Sequence, residues 1–286
     1  MKAFYRKIRW LELKAKILDE PAYSRIIHRE LSGRAFKRVL ECGTGTGKFI
    51  GKLEEFVTFD SLVAFDIDPD LVAEARKVFG SSKDMTFHVQ DLYHLDPDII
   101  SGGFDLIAGQ AFLEHTDPHE AVTILKRMLN PGGFMYFAHN YMSPTLFEPC
   151  FDKRLDEKIV ENFDEYSIEN QDFNGKICGD SKCGRRIFHV LHDAGLEIMH
   201  FASTDWLLSP LKRYTEDEKE ILRIIIDFFY EANRGPSVPR PKRVDPKTLD
   251  AWKADRYDQI ERNRLIFICP QTSILARAPR RHDEKV

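Results

Sequence analysis

An α/β fold with a largely parallel sheet is what this chain predicts, and three observations carry it. Short apolar runs alternate with helix-patterned stretches from residue 39 to residue 141. Val39-Leu40-Glu41-Cys42 runs directly into Gly43-Thr44-Gly45-Thr46-Gly47, three glycines at every second position, and a helical pattern follows from Lys48. Two later apolar runs, with strand character, end in acids at Asp66 and Asp91. A strand that hands over to a helix through bare backbone lets a ligand touch main chain, because glycine puts no side chain in the way.

Each element has its own warrant. The helix after the glycines runs from Lys48 to Phe56. Ser61 to Phe65 is a second strand, and Asp66-Ile67-Asp68-Pro69-Asp70 opens a helix from Leu71 to Phe79. Pro69 suits its first turn, and Asp68 and Asp70 favour its positive end. Met85 to Val89 is the third strand, reaching Gln90-Asp91-Leu92. The fourth, Phe104 to Ala108, opens into Gly109 to Pro118 and a helix to Leu129. Pro131-Gly132 centres a type II turn before the fifth strand, Phe134 to Ala138. Farther on come a helix from Arg185 to His192, a sixth strand from Leu196 to Phe201, and helices from Glu216 to Ala232 and Pro246 to Asn263. Leu265 to Cys269 and Thr272 to Arg277 read as a last strand broken at Pro270.

Spacing sorts the nucleotide-binding patterns that compete for the glycine loop. A Walker loop would need Gly at Cys42 and a hydroxyl at Phe49, and fails at both. A dinucleotide fingerprint begun at Gly43 would put its last glycine at Lys48, which weakens that pattern and leaves it open. The remaining pattern, Glu41-x-Gly43-x-Gly45-x-Gly47, resembles the first motif of class I S-adenosylmethionine-dependent methyltransferases. Asp66, 19 residues beyond Gly47, resembles the acid that this family places on the ribose hydroxyls. Asp91 matches the acid at the adenine amino group, and Gly109 to Pro118 resembles the motif after the fourth strand.

The resemblance runs motif by motif over residues 35 to 141, and loosely to Arg277. It implies a Rossmann-like three-layer sandwich whose seven-stranded, mostly parallel sheet has its last strand antiparallel between the fifth and sixth. It implies S-adenosyl-L-methionine as cofactor and S-adenosyl-L-homocysteine as product. Glu41 would orient the loop and reach the methionine amine, while Gly43, Thr44, Gly45 and Gly47 allow backbone approach. Asp66 and Ile67 would hold the ribose, Asp91 and Leu92 the adenine, and Gln110 the methionine end.

With 286 residues and 43% hydrophobic content, one domain carrying insertions is expected. Residues 1–34 would form an N-terminal helical lid, or a docked amphipathic helix. Residues 35–139 form the cofactor-binding half, 140–184 an acceptor-side insertion, and 185–286 the C-terminal half of the sheet with helical insertions. No apolar run approaches a membrane span, and charges punctuate Met1 to Trp10, so no membrane partner and a cytoplasmic location are expected. The five cysteines are scattered, and Cys178 and Cys183 have no second ligand pair, so no metal is expected. Net charge is −4, and in the insertion acids such as Glu148, Asp156 and Asp164 outnumber lysines and arginines. Nucleic acid draws its affinity from basic groups, so a small-molecule acceptor is expected and no nucleic acid. Assembly state leaves no mark on the sequence.

Methyl transfer is an in-line displacement, so most of the acceleration can come from holding donor and acceptor in near-attack geometry. A hydroxyl or ammonium acceptor must still lose a proton. His139, ending the fifth strand, is a candidate general base, or else it holds the backbone there. His115, at the start of a helix, reads as a structural hydrogen-bonding group. Asn140 and Tyr141 would face the acceptor with Trp206 as an apolar wall and Asp205 as a polar handle, unless Asp205 and Trp206 simply pack a strand end. The expected activity is methylation of an oxygen or nitrogen of a small polar or aromatic metabolite. RNA-base methylation, which needs a basic groove, and a cofactor-binding partner protein without turnover are the alternatives.

Overall fold

The computed structural model describes residues 2–19, 30–80 and 82–280. Helix α1 (Lys2–Leu13) continues into a π-helical turn, Lys14–Asp19. Then follow β1 (Ala35–Cys42), α2 (Lys48–Glu54), β2 (Thr58–Asp66), α3 (Pro69–Phe79), β3 (Met85–Val89), β4 (Phe104–Gln110), α4 (Pro118–Met128) and β5 (Leu129–Tyr141). The insertion holds β6 (Leu146–Glu148), α5 (Lys153–Phe163) and a hairpin of β7 (Gln171–Phe173) and β8 (Lys176–Cys178). The chain closes with α6 (Cys183–Asp193), β9 (Glu197–Ser203), β10 (Trp206–Leu208), α7 (Glu216–Arg234), α8 (Pro246–Glu261), β11 (Ile266–Cys269) and β12 (Gln271–Arg277).

Local chemistry starts the helices where the sequence signals them. The Asp68 carboxylate accepts the Asp70 and Leu71 amides at 2.9 and 3.3 Å, with Pro69 in the first turn of α3. Asp117 and Asp245 cap α4 and α8 in the same way, each with proline next. Thr215 and Glu218 form a reciprocal capping box on α7. Each such cap is worth about 1 kcal/mol.

Seven strands form one sheet in the order β3-β2-β1-β4-β5-β12-β9. The first five are parallel, and β12 runs antiparallel to both β5 and β9. Phe49, Ile50 and Leu53 of α2 and Val72 and Ala75 of α3 cover one face. Val122 and Leu125 of α4 and Ile187, Val190 and Leu191 of α6 cover the other, which makes three layers. Chain order reverses between β1 and β4, and ligands of such sheets bind at the carboxyl ends of the strands beside that reversal.

The break expected at Pro270 is a change of sheet. β11 pairs with β10 and β6 in a separate three-stranded antiparallel sheet, while β12 joins the main one. Proline has no amide to give a ladder, so it suits the step between them. A third apolar cluster gathers around this small sheet: Phe147, Trp206 and Phe267 pack with Ile159 of α5, Ile221 and Phe229 of α7, Trp252 of α8, and Leu13 and Leu18. Asp156 accepts a bidentate pair from the fully buried Arg256 at 2.7 and 2.8 Å and the Trp252 indole N–H at 2.7 Å, which fastens α8 to α5. Asp156 is thus one insertion acid consumed by structure. No helix among the described residues is long and apolar enough to cross a membrane.

Candidate active site

Above the chain reversal lies a cavity of about 1010 Å³. Its floor is the carboxyl ends of β1, β2, β3 and β4, and its walls come from α1, the insertion, α7 and the small sheet.

One end is set by the glycine loop. Gly43, Gly45 and Gly47 have φ of 73°, 52° and 79°, a left-handed region that side chains disfavour. A Cβ at Gly47 would lie 2.7 Å from the Phe79 ring, so this glycine serves the packing of α2 on α3. A Cβ at Gly45 would meet nothing nearer than Leu11 at 3.7 Å, and here bare backbone faces the void. The Gly45 amide donates to Asp66 Oδ2 at 2.9 Å, and the Asp68 amide to Oδ1 at 3.0 Å, so the acid at the end of β2 also shapes the loop. Burial pushes the Asp66 carboxyl up despite those two donors. Asp91 Oδ1 accepts the Tyr93 amide at 3.0 Å, and Oδ2 lies 3.0 Å from His94 Nδ1 and accepts from Asn174 at 3.1 Å. Burial raises the Asp91 carboxyl, but these hydrogen bonds win and hold it below the usual range. Ile67, Leu92 and Gln110 line the same end.

Glu41 sits under the loop with its side chain fully buried, and neither carboxylate oxygen has a hydrogen-bond partner. Burial, opposed by the nearby Thr44 hydroxyl and aided by Asp66, pushes it up to about 8. The Thr44 and Thr46 hydroxyls are also buried and unpartnered. Glu41, Thr44 and Gly47 support the loop from below, whereas Gly43, Gly45, Asp66, Ile67, Asp91, Leu92 and Gln110 border the cavity.

The other end is an aromatic chamber. Phe163 of α5, Phe228 and Phe229 of α7, and Trp206 and Phe267 of the small sheet wall it, with Trp10 at the edge. Tyr141 lines it too, its hydroxyl bound to Asp164 at 2.9 Å and to Thr145 at 3.2 Å. Lys14, Glu114 and Gln271 are among the polar side chains that interrupt the apolar wall, along with Thr145, Ser167 and Gln171. Lys14 Nζ is 3.1 Å from Asp19 Oδ2 and 5.3 Å from the centre of the Trp206 ring. Glu114 is 4% exposed, its Oε2 has no partner, and burial pushes it up to about 8 although Lys14 pulls the other way.

His139, Asn140 and Asp205, also singled out in the sequence, fall behind this wall. His139 is 1% exposed, with φ of 55°; its amide donates to Ser273 Oγ at 3.0 Å. The ring lies against Trp206 at 5.8 Å, with Nε2 3.8 Å from Asp19, and is not among the residues lining the cavity. Burial lowers it to about 4 in spite of Asp19. Asn140 is locked by bonds to the Phe137 and Thr272 carbonyls at 3.1 and 3.0 Å. Asp205 accepts the Gln271 amide at 2.9 Å, and it too pins backbone while its neighbour Trp206 reaches the void. His115 does line the cavity, paired with Gln171 at 3.2 Å. Lys14 and Gln271 carried no sequence signal, and Glu114 only its place in the motif after the fourth strand, because their meeting depends on a turn near the N-terminus and a strand near the C-terminus folding over the same loop. Among the described residues no group of acids, histidines or cysteines could hold a metal ion.

Residues 40–137 match the family described as a methyltransferase domain. The segment is a class I S-adenosylmethionine-dependent methyltransferase domain. A malonyl-[acyl-carrier protein] O-methyltransferase of Paenibacillus sp. (strain JDR-2) is 31% identical over 152 residues, covering 51% of this chain and 52% of its own. Phosphoethanolamine N-methyltransferase 1 of Arabidopsis thaliana is 28% identical over 133 residues, 46% of this chain and 25% of its own. The chain therefore spans about half of the first relative and a quarter of the second. A crystal structure of a Bacillus halodurans protein assigned to the methyltransferases superposes over 85% of this chain and 93% of its own, with a TM-score of 0.51 and 17% identity, a likeness of fold.

The cofactor of this methyltransferase domain is S-adenosylmethionine. The residues present fit it: bare backbone at Gly45, a rim carboxylate at Asp66 for ribose hydroxyls, a second at Asp91, and, beneath the loop, the buried unpartnered carboxylate of Glu41.

Proposed function

We propose that the protein transfers a methyl group from S-adenosylmethionine to an oxygen or nitrogen of a small acceptor with an apolar, ring-bearing body. One observation carries this reading: the cofactor rim and the aromatic chamber are two ends of one cavity. The cofactor supplies a methyl carbon already activated by a sulfonium. Glu41, Gly43, Thr44, Gly45, Gly47, Asp66, Ile67, Asp91, Leu92 and Gln110 would hold it, with Gln110 turning the methionine end towards the chamber. Tyr141 and Trp206 would flank the acceptor, while Asn140, Asp205 and His139 keep that wall in place. Enclosing both partners removes water and fixes the approach of the attacking atom.

The chain is read as one domain. Residues 140–184, with α7 and α8, are additions that build the acceptor side on a cofactor-binding sheet. A recessed, aromatic-walled space of this size favours a small molecule over a polynucleotide. Calorimetry with S-adenosylhomocysteine, followed by its release from S-adenosylmethionine on adding pooled small metabolites, tests the reading. No heat with the homocysteine product, or release only on adding RNA, would refute it.

A further inference from the structure

The proton that an acceptor loses has no evident destination in the proposed reaction, and the cavity wall offers one. We infer that Glu114 accepts it from a phenol-type hydroxyl of the acceptor, while Lys14 steadies the charge developing on oxygen. The inference rests on the methyltransferase reading and deepens it.

Position comes first. Glu114 follows β4 by four residues, after Gln110 at the proposed methionine end, so it stands where that end gives way to the chamber. Its side chain is more than nine-tenths buried and lines the cavity, and Oε2 makes no hydrogen bond. A buried carboxyl oxygen without a partner is costly, and a ligand that supplies the missing O–H recovers that cost. The other titratable candidates are engaged elsewhere. Asp66 and Asp91 accept bonds at the cofactor rim, His115 is paired with Gln171, and His139 lies behind Trp206.

The company of Glu114 selects the acceptor. Lys14 lines the same chamber, so a cationic amine would meet a like charge there. A hydroxyl turning into an oxyanion meets an ammonium group and the Trp206 indole N–H, which is buried and unpartnered. Phe163, Phe229 and Phe267 provide ring faces and edges for an aromatic body. In the step itself, the hydroxyl oxygen's electron pair forms the new C–O bond as the C–S bond breaks. That bond's electrons return to sulfur, leaving S-adenosylhomocysteine, and the proton passes to Glu114 Oε2.

Burial pushes Glu114 up to about 8, with Lys14 opposing, and Cys183 and Cys269 are the other titratable groups that feel its charge. Only the ionised form can take a proton, so kcat should rise with pH through that region and level off above it. The test uses a panel of naphthols, catechols and hydroxybenzoates with matched arylamines, reading release of S-adenosylhomocysteine across pH. Phenols should turn over in preference to arylamines. Glu114→Gln should cut kcat by about 10²-fold, abolish the rising limb and leave S-adenosylhomocysteine affinity within a few-fold by calorimetry. Glu114→Asp, which keeps the carboxylate, should restore the limb. As a readout without turnover, 2-naphthol bound with S-adenosylhomocysteine should ionise at higher pH in the wild type than in Glu114→Gln, by its own absorbance, because a carboxylate holding the naphthol O–H disfavours a second negative charge beside it. Preference for arylamines, cofactor binding without turnover of any phenol, or a Glu114→Gln enzyme with full rate and an intact limb would overturn the inference. Absence of cofactor binding would instead sink the methyltransferase reading on which it stands.

Discussion

Glu41 shows what a single buried carboxyl does to both stability and binding. Its folded pKa, near 8, lies above the ordinary value of 4.5 for a glutamate, so the folded state holds its proton more tightly than the unfolded one. Between those values the folded chain binds more protons, and stability must fall as pH rises through that window. Glu41→Gln removes this loss. The cofactor-free variant should melt higher than the wild type at pH 8.5, by roughly 2–4 °C for each kcal/mol recovered, and the difference should vanish at pH 4. The same change should weaken S-adenosylhomocysteine by about 10-fold in calorimetry, the scale of one charge-assisted hydrogen bond at 1.5–3 kcal/mol. Asp66→Asn should cost still more, because that carboxylate also receives the Gly45 amide. A loss of about 10–100-fold is expected on the same energy scale, read by the same titration. Glu41 and Asp66 could be singled out in the sequence because each lies at the carboxyl end of a strand, at a fixed distance from the glycines. Glu114 was not: it is an ordinary surface-type residue in a loop until Lys14 and the aromatic wall close over it.

At the scale of elements, α1 lies on α7 through charge pairs and one aromatic contact. Arg9 reaches Glu220 at 2.7 Å and Asp217 at 2.8 Å, Arg6 reaches Glu231 at 2.5 Å, and Trp10 meets Phe228 edge-on at 5.3 Å. The docked helix and the lid were alternatives in the sequence, and α1 has features of both, since Lys7, Trp10, Leu11 and Lys14 also line the cavity. Partly exposed pairs contribute about 0.2–1 kcal/mol each and are screened by salt. Arg9→Ala should therefore speed amide exchange in α1 and weaken cofactor binding by about 3-fold at low salt. At 0.5 M NaCl the wild type should approach the variant, as exchange and titration at two salt concentrations would reveal. Helix starts were readable because Asp-Pro and Thr-x-x-Glu act locally. The small sheet was hidden: β6 and β10 are three residues long, and nothing near them in sequence announces β11 as their partner.

For the molecule as a whole, the three-layer sheet was legible end to end, while the second core had to be seen. That core depends on Arg256, whose fully buried guanidinium is held through its two terminal nitrogens by Asp156, Gln259 and the Pro149 carbonyl. Asp156→Asn should destabilise the fold by about 3–5 kcal/mol, because it leaves a buried charge without its counter-ion. A double replacement, Arg256→Met with Asp156→Leu, should recover much of that loss. Urea unfolding of the three proteins decides it, and equal midpoints for the wild type and Asp156→Asn would contradict the argument. In sequence, the same acid looked like part of a solvated, phosphate-repelling surface. Acid counts ignore which carboxylates turn inward.

The step at Pro270 constrains how anything gets in. Cys269 and Gln271, on either side of it, both line the cavity, yet one belongs to the small sheet and the other to the large one. Ceiling and floor are thus a single continuous rod of chain, hydrogen-bonded at both ends, and they cannot swing apart like jaws. The flank where α1 rests on α7 is tied differently, by side-chain charge pairs that water and salt loosen far more readily than a covalent step.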